Sequence, residues 1–437
     1  WALTDVVKGA WASVIGNVIR VNYVLKYKGE VVCNARPQDM CEGLLLNRKA
    51  TPRRKGTPEP KLPLPRDMGK VFLQLLSHEN IASRKVFYEQ YDKDVQGLSI
   101  VEAGEADAGV IAPLRNREDA TEEQKVIGVA LSVDGNPLYG MIDPYWQAAN
   151  AVVEGMRNVA AVGAAPICIT DCLNYGNPEK TDQMAELTEG IRGIRDALTG
   201  VGMMNDPEAP VPCISGNVSL YNFSPKGAIP PQAIIATLGR MEHIAKVVTP
   251  SLKEAGNFLF LVGPRKNELG GSAYYNLFGK LGKNVPMPQF KSARKEIQFV
   301  LDLIEAELVQ SCHDISDGGL GVAVVEMMLM GREPSQLGAK VNLMHVGNYD
   351  PKAKRQIALR LDQKLFSETG GFVLEIRKKD RKRAKQLAIM YNIPLIQFGR
   401  VTEGKALTVL DEGAEAFSLP SSKLRGAWEN GLREKLQ

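Results

Sequence analysis

The stretch Ser215-Gly-Asn-Val-Ser-Leu-Tyr-Asn222 places glycine, amide and hydroxyl residues directly after the apolar run Val211–Ser215. A short apolar run of this kind predicts a buried strand. Gly216 lets a ligand approach the main chain, Asn217 offers a carbonyl oxygen that a hard cation accepts, and Ser219 offers a hydroxyl to a phosphate or a sugar. Tight polar turns use the same residues, so a ligand-binding loop and a simple turn are both open from this stretch alone.

A second stretch has the same character. Asp171-Cys-Leu-Asn-Tyr-Gly-Asn-Pro-Glu179 begins with an acid, continues with small and amide residues, and follows the apolar run Pro166–Asp171. Ligands in α/β sheets usually bind beyond the carboxyl ends of the strands. We therefore expect the two stretches to form polar loops that lie side by side.

Short apolar runs alternate with helical segments from about residue 70 to 245, and again from Phe258 onward. The predicted strands are Val126–Val133, Pro166–Asp171, Val211–Ser215, Gln232–Gly239, Phe258–Val262 and Gly371–Ile376. The predicted helices are Trp146–Gly163, Thr181–Leu198, Ala293–Glu307 and Gly318–Met330. This alternation predicts an α/β (α+β) chain with two domains joined near Pro250.

The two ends of the chain resemble each other. Gly16 corresponds to Gly399 and Pro37 to Pro420, each pair 383 positions apart, with a similar two-strand pattern between them. An internal repeat and two unrelated hairpins both fit this match. Between the first copy and the main body, residues 47–66 hold five prolines among basic residues, which predicts an extended linker.

Composition excludes several classes of protein. The 437 residues are 44% hydrophobic and 24% charged, as in ordinary globular proteins, and the net charge of +4 is too small to indicate a nucleic-acid or membrane surface. No apolar stretch reaches the roughly 18 residues of a membrane span. The motifs GxxxxGK[ST], GxGxxG and HExxH are absent. Six cysteines without a CxxC indicate a reducing cytoplasm. We expect no nucleic-acid partner, no membrane and a cytoplasmic location.

Carboxylate and amide residues recur in a third region. Glu154 and Asn158 share one face of an otherwise apolar predicted helix, and Asp107 lies beside a predicted strand start. The motif His313-Asp-Ile-Ser-Asp317-Gly-Gly319 adds two acids around a glycine turn. Oxygen ligands of this kind suit Mg²⁺ and its phosphate ligands. Helix caps and a solvated helix face are the alternatives.

Several longer strings together resemble the phosphoribosylformylglycinamidine synthase family, the ATP-dependent amidine-forming enzymes of purine biosynthesis. The strings are Ala130-Leu-Ser-Val-Asp-Gly-Asn-Pro137, Asp143-Pro-Tyr145, Asn158-Val-Ala-Ala-Val-Gly163, Thr170-Asp-Cys-Leu-Asn-Tyr-Gly-Asn-Pro-Glu-Lys180, Ser215-Gly-Asn-Val-Ser-Leu-Tyr-Asn222, Glu268-Leu-Gly-Gly-Ser272, His313-Asp-Ile-Ser-Asp-Gly-Gly-Leu320 and Glu368-Thr-Gly-Gly371. They span nearly the whole chain in the family's order.

The resemblance implies an aminoimidazole-ribonucleotide-synthetase-like domain pair that is pseudo-duplicated in the full enzyme. It divides the chain into four segments. Residues 1–46 would end the C-terminal domain of the first repeat, and 47–69 would be the proline-rich linker. Residues 70–249 would form the ATP-binding domain of the N-terminal type, and 250–437 the domain of the C-terminal type.

The resemblance also assigns roles to residues. Asp171 and Gly216 match ATP-contacting positions, Asn217 matches a Mg²⁺ ligand and Ser219 a substrate contact. A further set matches an auxiliary nucleotide–Mg²⁺ site, thought to be structural, with ADP as a candidate bound nucleotide. That set is Asp107, Glu154, Asn158 and, from the glycine-turn motif, Asp317. The family's catalytic histidine and its main magnesium-binding carboxylates belong to the first half, so we expect no catalytic residue in this chain.

The implied activity is that of a carbon–nitrogen ligase. ATP phosphorylates the amide oxygen of formylglycinamide ribonucleotide, and ammonia derived from glutamine then displaces phosphate to give formylglycinamidine ribonucleotide, ADP and phosphate. The implied partners are the missing amino-terminal half, a glutaminase subunit or domain and a small accessory subunit. Two alternatives remain: another synthetase of the superfamily, of the aminoimidazole ribonucleotide or selenophosphate type, and a non-catalytic half that only binds a nucleotide.

Overall fold

The computed structural model describes residues 13–42, 46–52, 56–332, 335–350 and 355–436. It contains two compact units, Trp1–Arg48 and Lys49–Gln437, which are described separately. Parts of the predicted segments 1–46 and 47–69, namely residues 1–12, 43–45 and 53–55, lie outside the described residues. Residues 47–52 and 56–67 of the linker form no helix or strand, and a helix begins at Met68, inside the predicted bounds 47–69.

The first unit contains a β-hairpin. Strand β1 (Tyr23–Tyr27) pairs antiparallel with β2 (Glu30–Ala35), and helix α1 (Pro37–Cys41) follows. The connecting residues Lys28 and Gly29 both have positive φ angles, of 49° and 90°. This conformation is typical of the two-residue hairpin turn that matches strand twist.

The second unit begins with a six-stranded sheet in the order β3-β4-β5-β10-β6-β7. In chain order its strands are β3 (Ser99–Val101), β4 (Gly109–Ile111), β5 (Gly128–Asp134), β6 (Ala165–Asn174), β7 (Cys213–Ser219) and, after a ribbon of β8 (Phe223–Ser224) and β9 (Gly227–Ala228), β10 (Gln232–Met241). All neighbours are antiparallel except β6 and β7.

In the described part of the chain, the helices that pack on this sheet lie on one of its faces. Helices α2 (Met68–Leu76) and α3 (Lys85–Tyr88) precede the sheet in the chain, and α2 packs into the core of the following sheet. Helices α4 (Glu122–Lys125), α5 (Pro137–Ile142), α6 (Pro144–Ala161) and α7 (Thr181–Val201) come between its strands in sequence. The long helix α6 starts at Asp143, whose carboxylate accepts from the first free main-chain N–H groups, and it packs on β5, β6 and β10. Alternate β5 residues, Leu131 and Val133, point away from the helices and are exposed.

A seven-stranded sheet follows, in the order β12-β16-β11-β17-β13-β18-β19. Its strands are β11 (Phe258–Val262), β12 (Ser311–Asp314), β13 (Gly338–Asn342), β16 (Phe372–Ile376), β17 (Leu395–Thr402), β18 (Ala406–Asp411) and β19 (Ala414–Pro420), with β14 (Asn348–Asp350) and β15 (Arg355–Ile357) as a separate ribbon. The accompanying helices are α8 (Ala273–Leu277), α9 (Phe290–Glu305), α10 (Gly319–Leu329), α11 (Leu361–Phe366), α12 (Arg381–Tyr391) and α13 (Ser421–Leu436).

The hairpin β18–β19 repeats the geometry of β1–β2. Its turn residues Glu412 and Gly413 have φ angles of 49° and 83°, and the strand pairs and the bulge of the first hairpin recur 384 positions later. This shared geometry supports an internal repeat. Within the hairpin the offset is 384 residues, so the predicted offset of 383 is wrong by one residue. Residues 13–18 form no strand, whereas their counterpart β17 is held between β11 and β13.

The predicted α/β (α+β) fold class is confirmed, with strand β11 matching residue for residue and the four predicted helices ending within three residues of those observed. The prediction of a buried strand at Val211–Ser215 is wrong. Strand β7 is exposed along nearly its whole length because it is an edge strand that pairs only with β6. Among the described residues, no helix has the length and apolar character needed to cross a membrane.

Candidate functional site

The four residues predicted to contact ATP, Mg²⁺ and substrate lie on two neighbouring parallel strands. Asp171 on β6 is opposite Gly216 on β7, and Ser219 ends β7 opposite the last residue of β6. The sequence predicted that these residues lie in loops after the strands. That prediction is wrong, because β6 continues to Asn174 and β7 to Ser219, so all four residues lie within the strands. The parallel pairing brings the two polar stretches side by side, as the sequence predicted.

The alternation of side chains along a strand divides these four residues between two faces of the sheet. Asp171 and Gly216 lie on the face covered by α6 and α7. Asn217 and Ser219 lie on the opposite face, which also carries Leu131. A ligand that touches all four residues must therefore pass around the exposed edge of β7.

The contacts of these side chains are few. Cys213 Sγ lies 3.4 Å from Asp171 Oδ2, and Asn217 Nδ2 lies 3.7 Å from Cys172 Sγ. The Asn217 carbonyl oxygen accepts no hydrogen bond from the described part of the chain, while the Ser219 hydroxyl donates to Asn222 at 3.1 Å. An exposed amide oxygen without a donor suits a hard cation.

The second group of predicted residues lies between the six-stranded and the seven-stranded sheet of the second unit. Asp107 Oδ1 accepts a hydrogen bond of 2.7 Å from His313 Nδ1 and one of 2.9 Å from the main-chain N–H of Asp314. His313 Nε2 donates to Glu326 at 3.1 Å. Atoms of Asp107, His313 and Asp314 lie within 4.8 Å of one another.

Helix α6 brings two further predicted residues to the same place. Asn158 donates to Asp134 Oδ1 at 2.7 Å, and Ser132 donates to the other oxygen of that carboxylate at 2.8 Å. Glu154 lies one turn before Asn158 on the same face. Arg157 supplies a cation but lies 3.8 Å from Asp314 Oδ2, beyond hydrogen-bond distance.

Asp317 completes the group. Its carboxylate accepts from Asn136 Nδ2 at 3.1 Å, and it does not cap helix α10, whose N-cap is Gly318 in the left-handed conformation with φ 80°. The helix-cap alternative is therefore wrong for Asp317. We refer to Asp107, Asp134, Glu154, Asp314 and Asp317 as the carboxylate cluster.

Burial and mutual repulsion shift the pKa values of the cluster. Burial and then the charge of Asp107 raise the pKa of Asp314 to about 8, and burial raises that of Asp134 to about 7. Burial and the charge of Asp134 raise the pKa of Glu154 well above its ordinary value. Burial would lower the pKa of His313, but the charge and hydrogen bond of Asp107 outweigh it and raise that pKa. Burial is therefore the main cost of ionising these carboxylates, and the nearby cations do not offset it.

Two buried oxygens of the cluster have no partner. Asp107 Oδ2 and Asp314 Oδ2 accept no hydrogen bond from the described residues, although the side chains are 1% and 3% exposed. Unpaired buried oxygens are costly unless a ligand satisfies them. A divalent cation with oxygen preference would satisfy both atoms and favour the ionised carboxylates, so the donor set fits Mg²⁺.

The sequence pointed to Asp107, Glu154, Asn158 and Asp317, and the structure places all four in one region. No role followed from the sequence for Asp134, Asp314, Arg157 or Glu326, although Asp134 and Asp314 stand in the quoted strings. The usable signal was the proximity of Asp314 to His313 within one short motif. Contacts such as that of His313 with Asp107 span 206 positions and depend on how the domains dock.

Comparisons with known proteins match the part of the chain with the six-stranded sheet and the part with the seven-stranded sheet separately. The N-terminal domain model of the AIR synthase related proteins matches residues 105–241, and the C-terminal domain model matches residues 254–412. The PurL subunit of phosphoribosylformylglycinamidine synthase from Methanothrix thermoacetophila is 40% identical over 439 residues, which is 100% of this chain and 54% of that protein. The PurL subunit from a Thermoanaerobacter species is 33% identical over 375 residues, or 85% of this chain and 46% of that protein.

Solved structures agree on the fold. T. maritima PurL complexed with FGAR has a TM-score of 0.64 at 19% identity and covers 84% of this chain, which in turn covers 54% of it. The chain spans about half the length of the curated relatives that it matches. Both domain models and the whole-chain identity confirm the resemblance seen in the motifs. The chain belongs to the AIR synthase related proteins and, among them, to the family of the PurL subunit of phosphoribosylformylglycinamidine synthase.

Proposed function

We propose that this chain supplies one part of a phosphoribosylformylglycinamidine synthase. The complete enzyme would convert formylglycinamide ribonucleotide, ATP and ammonia to formylglycinamidine ribonucleotide, ADP and phosphate. The observation that carries the proposal is the 40% identity to a PurL subunit over the whole chain. T. maritima PurL has been solved with FGAR and with ATP, which are the two substrates that the proposal requires.

The residues of β6 and β7 support distinct roles in this reaction. Asp171 can accept hydrogen bonds from ATP, and Gly216 leaves the space beside it open. Asn217 would offer its carbonyl oxygen to a cation, and Ser219 would offer its hydroxyl to the ribonucleotide substrate. Magnesium, when bound, would offset the charge of the phosphates during phosphoryl transfer. The protein's own task is to orient ATP and the amide oxygen, because this reaction depends chiefly on positioning and charge stabilisation.

The carboxylate cluster supports a second, structural role. We propose that it holds a nucleotide together with Mg²⁺, with Asp107, Glu154, Asn158 and Asp317 as predicted and Asp314 as a further metal ligand. The two unpaired oxygens of Asp107 and Asp314 favour this role over a solvated acidic surface. A ligand there would contact both domains and bind only the folded chain.

The exposed sheet face supports the missing amino-terminal half as a partner. Ile111, Leu131 and Val133 are exposed apolar residues on neighbouring strands of that face, and Asn217 lies on the same side. Apolar faces of this kind usually pack against another protein surface. We infer that the first half covers this face and completes the active site with the catalytic histidine and the remaining magnesium ligands.

Ammonia would come from a glutaminase on another polypeptide or region, and a small accessory subunit completes the proposed assembly. One solved relative is an assembly named PurLQS from T. maritima. The six cysteines are all free thiols, in keeping with the predicted cytoplasmic location. We also propose that the chain binds no nucleic acid and does not associate with a membrane.

The test is reconstitution. The chain is mixed with the amino-terminal half of the same enzyme, and ADP release is measured with ATP, Mg²⁺ and an ammonium salt. We expect release to require formylglycinamide ribonucleotide. Release that instead requires formylglycinamidine ribonucleotide, or selenide, would assign the chain to one of the other superfamily synthetases. No release with any substrate would favour the non-catalytic alternative.

A further inference from the structure

Glu368 receives hydrogen bonds from three separate elements. Its Oε2 accepts from the Tyr139 hydroxyl on α5 at 2.6 Å. Its Oε1 accepts from the main-chain N–H of Ala273, at the start of α8, at 2.9 Å, and from that of Gly318 at 2.8 Å. The Glu368 side chain is buried, so water cannot take its place as the acceptor for these three donors.

The donors of Glu368 come from both domains. Tyr139 belongs to the first, three residues after Asn136, whereas Gly318 belongs to the second, directly after Asp317. Asn136 itself donates to Asp317. Glu368 therefore fixes the turn that carries one cluster carboxylate and the helix that follows the cluster residue Asp134.

We propose that Glu368 is the positioning residue of the carboxylate cluster, which joins the Asp317 turn to Tyr139 and so sets the distance between carboxylates contributed by the two domains. Glu368 is not a ligand in this proposal, because both of its oxygens are already taken by protein donors. The expected effect on Mg²⁺-ADP binding rests on the proposed nucleotide–Mg²⁺ role of the cluster. The expected effect on the local structure of the ligand-free chain rests on the hydrogen bonds alone.

The charge state of Glu368 suggests a conservative variant. Burial and the charge of Asp317 raise the pKa of Glu368 to about 8, so the neutral acid predominates at pH 7. Glutamine reproduces the size and neutrality of that acid. Alanine, in contrast, leaves two main-chain N–H groups and a hydroxyl without an acceptor.

The experiment compares Glu368→Gln, Glu368→Ala and Tyr139→Phe with two matched controls in the second domain. Glu375 is also a buried carboxylate, but its donors (the N–H groups of Lys253 and Glu254, Asn257 Nδ2 and Ser311 Oγ) all belong to one domain. Tyr274 donates to Asp362 within that domain, so Glu375→Ala and Tyr274→Phe serve as controls. Each chain is measured by titration calorimetry with Mg²⁺-ADP and by amide hydrogen exchange without ligand.

We expect Glu368→Ala and Tyr139→Phe to weaken Mg²⁺-ADP binding by about 10- to 100-fold, the range for residues that orient metal ligands, and Glu368→Gln to bind nearly as the parent. Amide exchange should accelerate in residues 105–108, 136–139 and 314–319. The controls should lower thermal stability without changing either readout at the cluster. Tyr139→Phe keeps the proposal testable if Glu368→Ala does not fold.

Unchanged affinity and unchanged exchange at these residues in Tyr139→Phe would overturn the positioning role. Equal effects of Glu375→Ala and Glu368→Ala on the cluster would also overturn it, since general destabilisation would then explain both. If the parent chain binds no Mg²⁺-ADP, the proposed nucleotide site is wrong, and the exchange comparison alone decides on Glu368.

Discussion

Gly216 lies directly opposite Asp171, and a β-carbon on Gly216 would come within 2.6 Å of the Asp171 Oδ1 atom. Real β-carbon contacts are essentially never that short, so the carboxylate keeps its position because residue 216 has no side chain. Two residues that the sequence assigned to ATP separately are thus one structural unit. Glycine is needed at position 216 because the Asp171 carboxylate occupies the space that a side chain would take, and not because of a positive φ angle.

Gly216→Ala should therefore displace Asp171. We expect kcat/KM for ATP in the reconstituted enzyme to fall by about tenfold or more, with little change in melting temperature, because β7 is an exposed edge strand. The control is Gly426→Ala in α13, where an added β-carbon would meet nothing within 4 Å. A normal kcat/KM for Gly216→Ala would remove Asp171 from the nucleotide site.

Asn217→Ala should impair the use of Mg²⁺-ATP much more than folding, and Asp171→Asn should act in the same way. Asn217 is exposed and contributes little to the core, so its loss removes an oxygen ligand and not packing. The measurement is steady-state ATP turnover at several Mg²⁺ concentrations. The control is Thr408→Ala, at a half-buried β18 residue that also loses only a polar contact, the one with Ser418. Turnover near the parent value with either site variant would contradict the assignment.

Asp107→Asn and Glu154→Gln should both abolish stabilisation by Mg²⁺-ADP, because each removes an oxygen ligand. Burial raises the pKa of Glu154, so Glu154→Gln should cost the ligand-free chain little stability, whereas Asp107→Asn also weakens the hydrogen bond from His313 and should lower it. A ligand at about 100 times its Kd adds about 2.7 kcal/mol to the free energy of unfolding. Thermal melts with and without Mg²⁺-ADP measure this difference. Co-purifying nucleotide should also be lost from both variants, and nucleotide retained by either would contradict the ligand roles.

The ligand-free chain should lose stability as the pH rises from about 4 toward 8. The raised pKa values of Asp134, about 7, and Asp314, about 8, mean that the folded chain binds protons that the unfolded chain has released in this range. The raised pKa of His313 acts in the same direction. Melting temperatures at pH 5.5, 7.0 and 8.5 measure the slope, which Asp314→Asn should flatten. The gain from Mg²⁺-ADP should increase with pH, since the cation stabilises the ionised carboxylates. A gain that is constant with pH would argue against a metal at these carboxylates.

The isolated chain should make no formylglycinamidine ribonucleotide, even with ammonia supplied. Its residues account for one side of a shared site, and phosphoryl transfer loses many orders of magnitude when half of the positioning groups are missing. The amino-terminal half added in trans should restore activity. Turnover by the pure chain alone would place the catalytic group on His313 or another residue of this chain.

Val133→Glu should prevent this reconstitution. Val133 is 65% exposed on the bare face of the first sheet, whereas Ile389 is 77% exposed on α12 and serves as the control position. A charge on the proposed contact surface costs association, while Ile389→Glu should leave it unchanged. Size-exclusion chromatography of the mixed halves measures complex formation, and equal behaviour of the two variants would move the interface elsewhere.

Local pattern was enough to predict the elements of the core. Strand β11 and helix α6 follow from apolar runs and helical spacing that tertiary contacts reinforce. Strand β7 was misjudged as buried because an apolar run cannot tell a central strand from an edge strand. The division of Asp171 and Asn217 between two sheet faces was also missed, since it depends on both residues lying inside strands.

The cluster shows a different limit. The sequence patterns located Asp107 and Asp317, but the choice of Asp314 as a further ligand depends on its unpaired oxygen, which is set by how the two sheets pack together. The same holds for Glu368, whose Tyr139 partner lies 229 positions away. Motifs can name the residues of such a site, whereas which carboxylate lacks a partner is a property of the packed chain.

The repeated hairpin has a consequence for how sheet edges are used in this protein. Strand β18 joins the main sheet by parallel pairing with β13, and one sheet edge accepts one strand. The chain therefore carries two hairpins of one geometry and, among its described strands, a single sheet in which that geometry is paired. Among the described strands, β1 and β2 pair only with each other, so their outer edges can add a further strand wherever a sheet offers the pairing that β13 gives to β18.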